Sequence, residues 1–304
     1  MASVLVTGGT GFIGRHLIRQ LLDRGDNVVV ASRNPAQAEE MFGHAVIAVD
    51  LNSRNVASRV RVDAVVNLAG EPLSARWTAA RKRAIFASRQ SATNHVTDLI
   101  GQLDARPEVL VSASAIGYYG ASETGAFTEQ SEPESRDFLT DVTAMWERAA
   151  NRAREFGTRV VCARFGVVLG ADGGALGKLA LPYRFYLGGP IGSGRQWVSW
   201  IHIEDAVRMI LWSLDQTHIA GALNVTAPEP VQMQEFGRTL AKVLRVPHFA
   251  PVPAFALRAL LGEMADLVLT GQRVIPEKAL AAGFSFRYAA LLPALCDLLQ
   301  RDLQ

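Results

Sequence analysis

Through the first half of the chain, short β-branched apolar runs alternate with longer stretches of helical periodicity. Residues 3–7, 27–32, 45–49, 63–68, 109–112 and 159–164 are almost continuously apolar and read as buried strands. Between the first two, Ile13, Leu17, Ile18, Leu21 and Leu22 form a single helical stripe that ends at Gly25. Strands apolar on both faces and separated by helices predict a parallel sheet covered on each side, a doubly wound (Rossmann) α/β fold. The pattern changes after residue 170. Residues 170–194 are rich in glycine, contain Pro182 and Pro190, and read as a loop. Residues 222–225 read as a late strand returning to the sheet, and 233–243 and 291–299 as amphipathic helices. A smaller C-terminal α/β lobe is expected to close over the first domain and to share its core.

Thr7-Gly8-Gly9-Thr10-Gly11-Phe12-Ile13-Gly14 joins the first strand to the first helix. Gly8, Gly11 and Gly14 form a G-x-x-G-x-x-G run in the context a dinucleotide fingerprint requires. Glycine lets the backbone approach a diphosphate, and the helix start offers unpaired N–H groups to it. Thr10, Phe12 and Ile13 are the expected flanking contacts. The second strand ends in Ser32-Arg33, where an NAD enzyme usually carries a carboxylate for the adenosine 2′-hydroxyl. A hydroxyl and a guanidinium suit a 2′-phosphate instead, so NADP (NADPH) is expected ahead of NAD. Asp50 and Leu51 follow the third strand, toward the adenine edge. Leu68, Ala69 and Gly70 follow the fourth, and Ser112 lies in the fifth. Arg164 ends the sixth and is expected to wall the nicotinamide. The organisation implied is a dinucleotide domain over 1–170 and a substrate-side lobe over 171–304, with about 201–226 returning to the first sheet.

Composition excludes several classes. Lys and Arg number 31 against 29 Asp and Glu, a net charge of +2, which gives no bulk attraction for nucleic acid. The two cysteines, Cys162 and Cys296, make neither a disulfide scaffold nor a zinc site, and they suit a reducing, cytoplasmic compartment. The six histidines show no ligand spacing, so no metal is expected. No apolar stretch approaches the ~20 residues of a membrane span, and the expected partner is a small molecule rather than a membrane.

The glycine run, Asn67-Leu68-Ala69-Gly70, and Ser112-Ala113-Ser114 ahead of Tyr118-Tyr119-Gly120 resemble the extended short-chain dehydrogenase/reductase superfamily. More narrowly, Gly70-Glu71-Pro72-Leu73, Ser88-Arg89, Trp146-Glu147, the stretch from Leu187-Gly188-Gly189-Pro190 to Trp197, and Trp200-Ile201-His202 resemble its atypical "epimerase family". These are NAD(P)-binding proteins with a C-terminal domain of unknown function. The resemblance spans essentially the whole chain. It implies oxidoreductase or epimerase-like chemistry on a small polar carbonyl or sugar-type substrate.

One part of the superfamily pattern is missing. The usual proton relay is Tyr-x-x-x-Lys on a helix, and none of the five tyrosines is followed by lysine at that spacing. If Glu147 matches the acidic residue that often follows the motif, Leu139 and Thr143 stand in the Tyr and Lys places. Two readings follow. Either Ser114, Tyr118 (or Tyr119) and Glu71 substitute in catalysis, or the protein binds NADP(H) without turnover, as a redox sensor. The cations Arg76, Arg81, Lys82, Arg83 and Arg89 form either a solvated helix face or an anion site, and Arg195 is a second anion candidate. His202 reads as a structural turn before a helix.

Overall fold

A computed structural model of the protein describes residues 2–50, 61–73 and 75–300. Its central sheet contains β1 (Ser3–Thr7), β2 (Asn27–Ser32), β3 (Val46–Asp50), β4 (Ala64–Asn67), β5 (Val109–Ala115), β6 (Arg159–Phe165) and β7 (Gly221–Val225). All pairings are parallel and the spatial order is β3-β2-β1-β4-β5-β6-β7. The chain runs outward from β1 to β3, then crosses back to β4 on the other side of β1. That reversal opens a crevice at the carboxyl ends of β1 and β4, where ligands of such sheets bind.

Alternation along the strands supplies two cores. Val4 and Val6 face one side of the sheet with Leu17, Ile18 and Leu21 of α1 (Phe12–Asp23) and with Met209 and Ile210, while Leu5 and Val65 face the other side with Val96 and Ile100. Each fully buried aliphatic side chain contributes ~1.5–3 kcal/mol, so the stripe on α1 alone outweighs the loss of any single surface contact.

The helices α2 (Pro35–Phe42), α3 (Ala79–Gln102), α4 (Phe138–Asn151), α5 (Leu176–Arg184), α6 (Ile203–Asp215) and α7 (Met233–Leu244) each contribute buried side chains to one or other of these cores. The glycine-rich stretch read as loop contains α5. Its Pro182 sits one turn from the end, and Leu176, Ala180 and Tyr183 anchor the helix by burial. The core on the α1 side continues without a break into Phe236, Leu240, Leu295 and Leu298. No helix among the described residues is long and apolar enough to cross a membrane.

Candidate active site

The phosphate turn is built by close backbone packing. Gly8 has φ +68°, and a methyl group there would lie 2.7 Å from the backbone carbon and oxygen of Leu68. At Gly14 a methyl group would lie 2.3 Å from the Gly8 carbonyl oxygen. The turn therefore seats the β1 loop against Leu68-Ala69 of the β4 loop and draws α1 close beneath it. Thr78, Asp137 and His202 cap α3, α4 and α6 with side chains, whereas α1 starts at Gly11 with no side-chain cap, as do α2, α5 and α7. The first-turn donors of α1 are left for an anion, and this bare helix start fits a diphosphate. Gly170, Gly173 and Gly174 lie against the Phe12 ring, close enough that a methyl group on any of them would come within 2.8 Å of it. Asp172 in the same segment takes Arg15 at 3.0 Å and His16 at 3.1 Å.

The other cofactor candidates converge on the same edge. Ser32 and Asp50 are register partners across β2 and β3. Ser32 Oγ accepts the Asn34 N–H at 3.1 Å, and Arg33 is exposed just beyond. Leu51 lies outside the described residues. Thr10 and Ile13 are partly exposed on the turn, as are Leu68 and Ala69 beside it. Below the crevice, buried polar groups tie the strand ends together. Thr7 Oγ1 donates to Asn67 Oδ1 at 2.7 Å, and Asn67 Nδ2 donates to Thr93 Oγ1 at 3.0 Å and to Ser112 Oγ at 3.1 Å. Ser112 is fully buried, so it supports the floor of the crevice from below. Gly70 lies beside Arg89, which is buried, donates to the Glu71 carbonyl at 3.1 Å and stacks on Trp146. Burial lowers the Arg89 pKa to about 10, against the opposing pull of Glu71.

A connected cluster lies at the ends of β5 and β6. Glu147 on α4 takes both Arg164 Nε at 2.7 Å and an Arg164 Nη at 2.9 Å, a bidentate pair, and accepts the Ser114 hydroxyl at 2.7 Å. The other Arg164 Nη donates to the Tyr119 hydroxyl at 2.9 Å, and Tyr119 donates to Asn224 Oδ1 at 2.7 Å. Burial opposes the Arg164 charge, but Glu147 outweighs it and holds the guanidinium above its ordinary pKa. Burial also pushes Tyr119 up to about 12, with Arg164 opposing. A phenol that is buried, doubly engaged and that far from neutrality is a poor acid.

This arrangement bears on Arg164, Ser114 and the basic run. Arg164 is 4% exposed and committed to Glu147 and Tyr119, so it underlies the pocket wall and presents no free charge to a ligand. Ser114 is likewise buried, with its proton on Glu147. The basic run of α3 is not a single anion site. Arg81 binds Glu71 at 2.7 Å, Lys82 pairs with Glu263, and Arg76 lies beside Gly262, which joins α3 to the C-terminal lobe. Glu71 is thus half-buried and already paired. Arg195 is exposed, 3.6 Å from Glu123. At the Tyr and Lys places, Leu139 packs on Gly117 and the Thr143 hydroxyl returns to its own helix at the Leu139 carbonyl. His202 caps α6 by accepting the Glu204 N–H at 3.1 Å and stacks on Tyr288.

Tyr118 is different. Its ring lies against the Arg164 guanidinium, 3.5 Å from carbon to centroid, and the residue is partly exposed. Among Ser114, Tyr118, Tyr119 and Glu71, its hydroxyl alone has no hydrogen bond within the described residues. Asn224 and the linkage through Glu147 were not evident as a unit from the sequence. The signal was an arginine inside an apolar strand and a glutamate on the buried side of an apolar helix, two charges that require each other. No group of three or more metal-ligating side chains occurs among the described residues.

Comparison with known proteins agrees with this architecture. Residues 4–225 match the NAD dependent epimerase/dehydratase family, and residues 252–298 match a domain of unknown function, DUF1731. The chain is 43% identical over 297 residues to the epimerase family protein YfhF of Bacillus subtilis, covering 98% of each. It is 45% identical over 307 residues to the chloroplastic SDR39U1 homologue of Arabidopsis thaliana, covering 98% of this chain and 87% of that one. The crystal structure of human epimerase family protein SDR39U1 with NADPH is 35% identical and superposes with a TM-score of 0.88, covering 98% of this chain and 99% of the human one. The family match runs from β1 through β7 and the relatives align over nearly their full length, so the chain belongs to the NAD dependent epimerase/dehydratase family.

Proposed function

We propose that the protein is an NADP(H)-dependent oxidoreductase or epimerase-like enzyme acting on a small polar carbonyl or sugar-type substrate, with Tyr118 as its proton donor and acceptor. The observation that carries the reading is the unengaged Tyr118 hydroxyl, on a ring braced by Arg164, at the end of β5. The NADPH in the human relative supports the cofactor, and Ser32 and Arg33 support its phosphorylated form. When bound, the dinucleotide supplies or takes hydride. The Gly8–Gly14 turn and the start of α1 hold its diphosphate, and Arg33 meets the 2′-phosphate.

In this reading Tyr118 gives its phenolic proton to a substrate oxygen, or takes one from it. Arg164 fixes the ring plane, and Glu147 fixes Arg164. Ser114 contributes by orienting Glu147. Glu71, held by Arg81, borders the substrate side and can accept a substrate hydroxyl on its second oxygen.

Two measurements test the reading. Arg33→Ala is expected to raise the NADPH Kd by ~10–100-fold, the worth of a charge-assisted contact, and to leave NADH binding nearly unchanged. Equal loss for both dinucleotides would reject the phosphate assignment. Turnover is followed by NADPH absorbance against aldehydes, ketones and nucleotide sugars. Tyr118→Phe is expected to lower it by at least ~100-fold while NADPH affinity is retained. The competing reading, an NADP(H)-binding sensor without turnover, draws on Leu139 and Thr143 in the Tyr and Lys places. Tight NADPH binding with no turnover across the panel would favour it.

A further inference from the structure

We propose that the C-terminal lobe carries a docking surface for an anionic lipid bilayer, formed by the end of α5 and the helix α8 (Ala254–Leu261). Every helix packed on the sheet buries an apolar stripe. The helix α8 is rich in alanine, leucine and phenylalanine, yet none of its eight residues is buried. Phe255 is 77% exposed and Leu260 72% exposed. An apolar helix left uncovered is an interaction surface that has not met its partner.

The patch extends beyond α8. At the end of α5, Phe185, Tyr186 and Leu187 turn outward, each at least 60% exposed. Tyr186 stands at φ +60°, where its N–H and that of Leu187 bond back to the Tyr183 and Pro182 carbonyls. Helices commonly end this way with glycine, and a bulky residue in the left-handed region is costly. Here a tyrosine occupies it, with an apolar side chain on either side. The Gly188 carbonyl accepts the N–H groups of Phe249 and Ala250, and the Pro190 carbonyl accepts that of Val252, so the exposed Phe249 is clasped beside this turn. Pro253 then leads directly into α8.

Charge selects the occupant. Residues 176–187 and 236–261 contain no aspartate or glutamate. Lys178, Arg238, Lys242 and Arg245 are exposed within them. Arg258 of α8 itself pairs with Asp266 at 3.3 Å, so the positive charge of this region comes from α5 and α7. Aromatic and aliphatic side chains next to those cations, on a chain whose net charge is only +2, match the interface of a bilayer carrying anionic headgroups. This is contact with one leaflet, distinct from a membrane span, and it does not depend on the catalytic reading.

The test is co-sedimentation of the full chain with vesicles of equal parts phosphatidylglycerol and phosphatidylcholine, against phosphatidylcholine alone. Retention is expected on the mixed vesicles, weak retention on the neutral ones, and release by salt. The double variant Phe255→Ser, Leu260→Ser removes exposed side chains only, so it is expected to fold and to bind NADPH normally. Its vesicle affinity is expected to fall by ~10–100-fold. Lys242→Ala and Arg245→Ala are each expected to cost ~5-fold at low salt. Absence of retention on phosphatidylglycerol vesicles, or equal retention of the double-serine variant, would overturn the proposal. So would lipid-free dimerisation, seen by sedimentation velocity and abolished by the same two changes, because the patch would then be covered by a second copy.

Discussion

Gly8→Ala is expected to reduce NADPH affinity by at least ~100-fold and to destabilise the fold by about 2–4 kcal/mol. Two causes act together. The residue has φ +68°, and the new methyl group would lie 2.7 Å from backbone atoms of Leu68. Backbone atoms cannot rotate away as the end of a side chain can. The β1 and β4 loops must separate, which widens the crevice under the diphosphate. Gly43→Ala separates these causes. Gly43 also has positive φ, at +61°, but a methyl group there would meet nothing within 4 Å. Its ψ of −149° lies in a region essentially reserved for glycine, so its cost is expected to be about 1–3 kcal/mol, with NADPH binding unchanged. Fluorescence titration of NADPH and thermal unfolding of both variants decide the matter. Equal behaviour of the two would show that conformational strain, and not the packing of the two loops, governs the site.

The sheet was legible because its strands are apolar on both faces and its first turn is glycine-rich. Both signals are local. What was not legible depends on who meets whom across the fold. The polar tail of β5 hid its length: Ser112 and Ser114 interrupt the apolar run, so the strand reads as ending at 112, yet it continues to Ala115 because Asn67 and Glu147 satisfy those hydroxyls. Residues 170–194 read as loop from their glycines, although α5 forms within them through burial against α7, a contact distant in sequence. The candidate site divides the same way. The tight turn itself is set by backbone geometry, and the glycine spacing points to the close packing seen at Gly8 and Gly14. Ser114 and Arg164 lie toward strand ends as expected, but the partners that engage both side chains come from α4 and from Tyr119. The cations of α3 show the same limit. Their spacing suggests a pool of positive charge, whereas the fold assigns Arg81 to Glu71 and Lys82 to Glu263.

Glu147→Ala is expected to destabilise the protein by about 3–5 kcal/mol, because it leaves the Arg164 charge buried with only the Tyr119 oxygen for company. At the few degrees per kcal/mol typical of a chain this size, the melting temperature falls by ~5–15 °C. The Ser114 hydroxyl loses its acceptor in the same step. A second variant distinguishes the lost pair from the lost packing. Glu147→Leu combined with Arg164→Met removes both charges and fills the space with apolar atoms. It is expected to be more stable than Glu147→Ala, since exchange of a whole buried pair for apolar groups is often neutral. Activity should not follow stability. With Arg164 gone from the face of Tyr118, the double variant is expected to keep its NADPH affinity and lose turnover, as kcat more than as KM. If it instead retained full turnover, Arg164 would be a structural residue alone, and the orientation of the Tyr118 ring would have to come from the 116–120 turn itself.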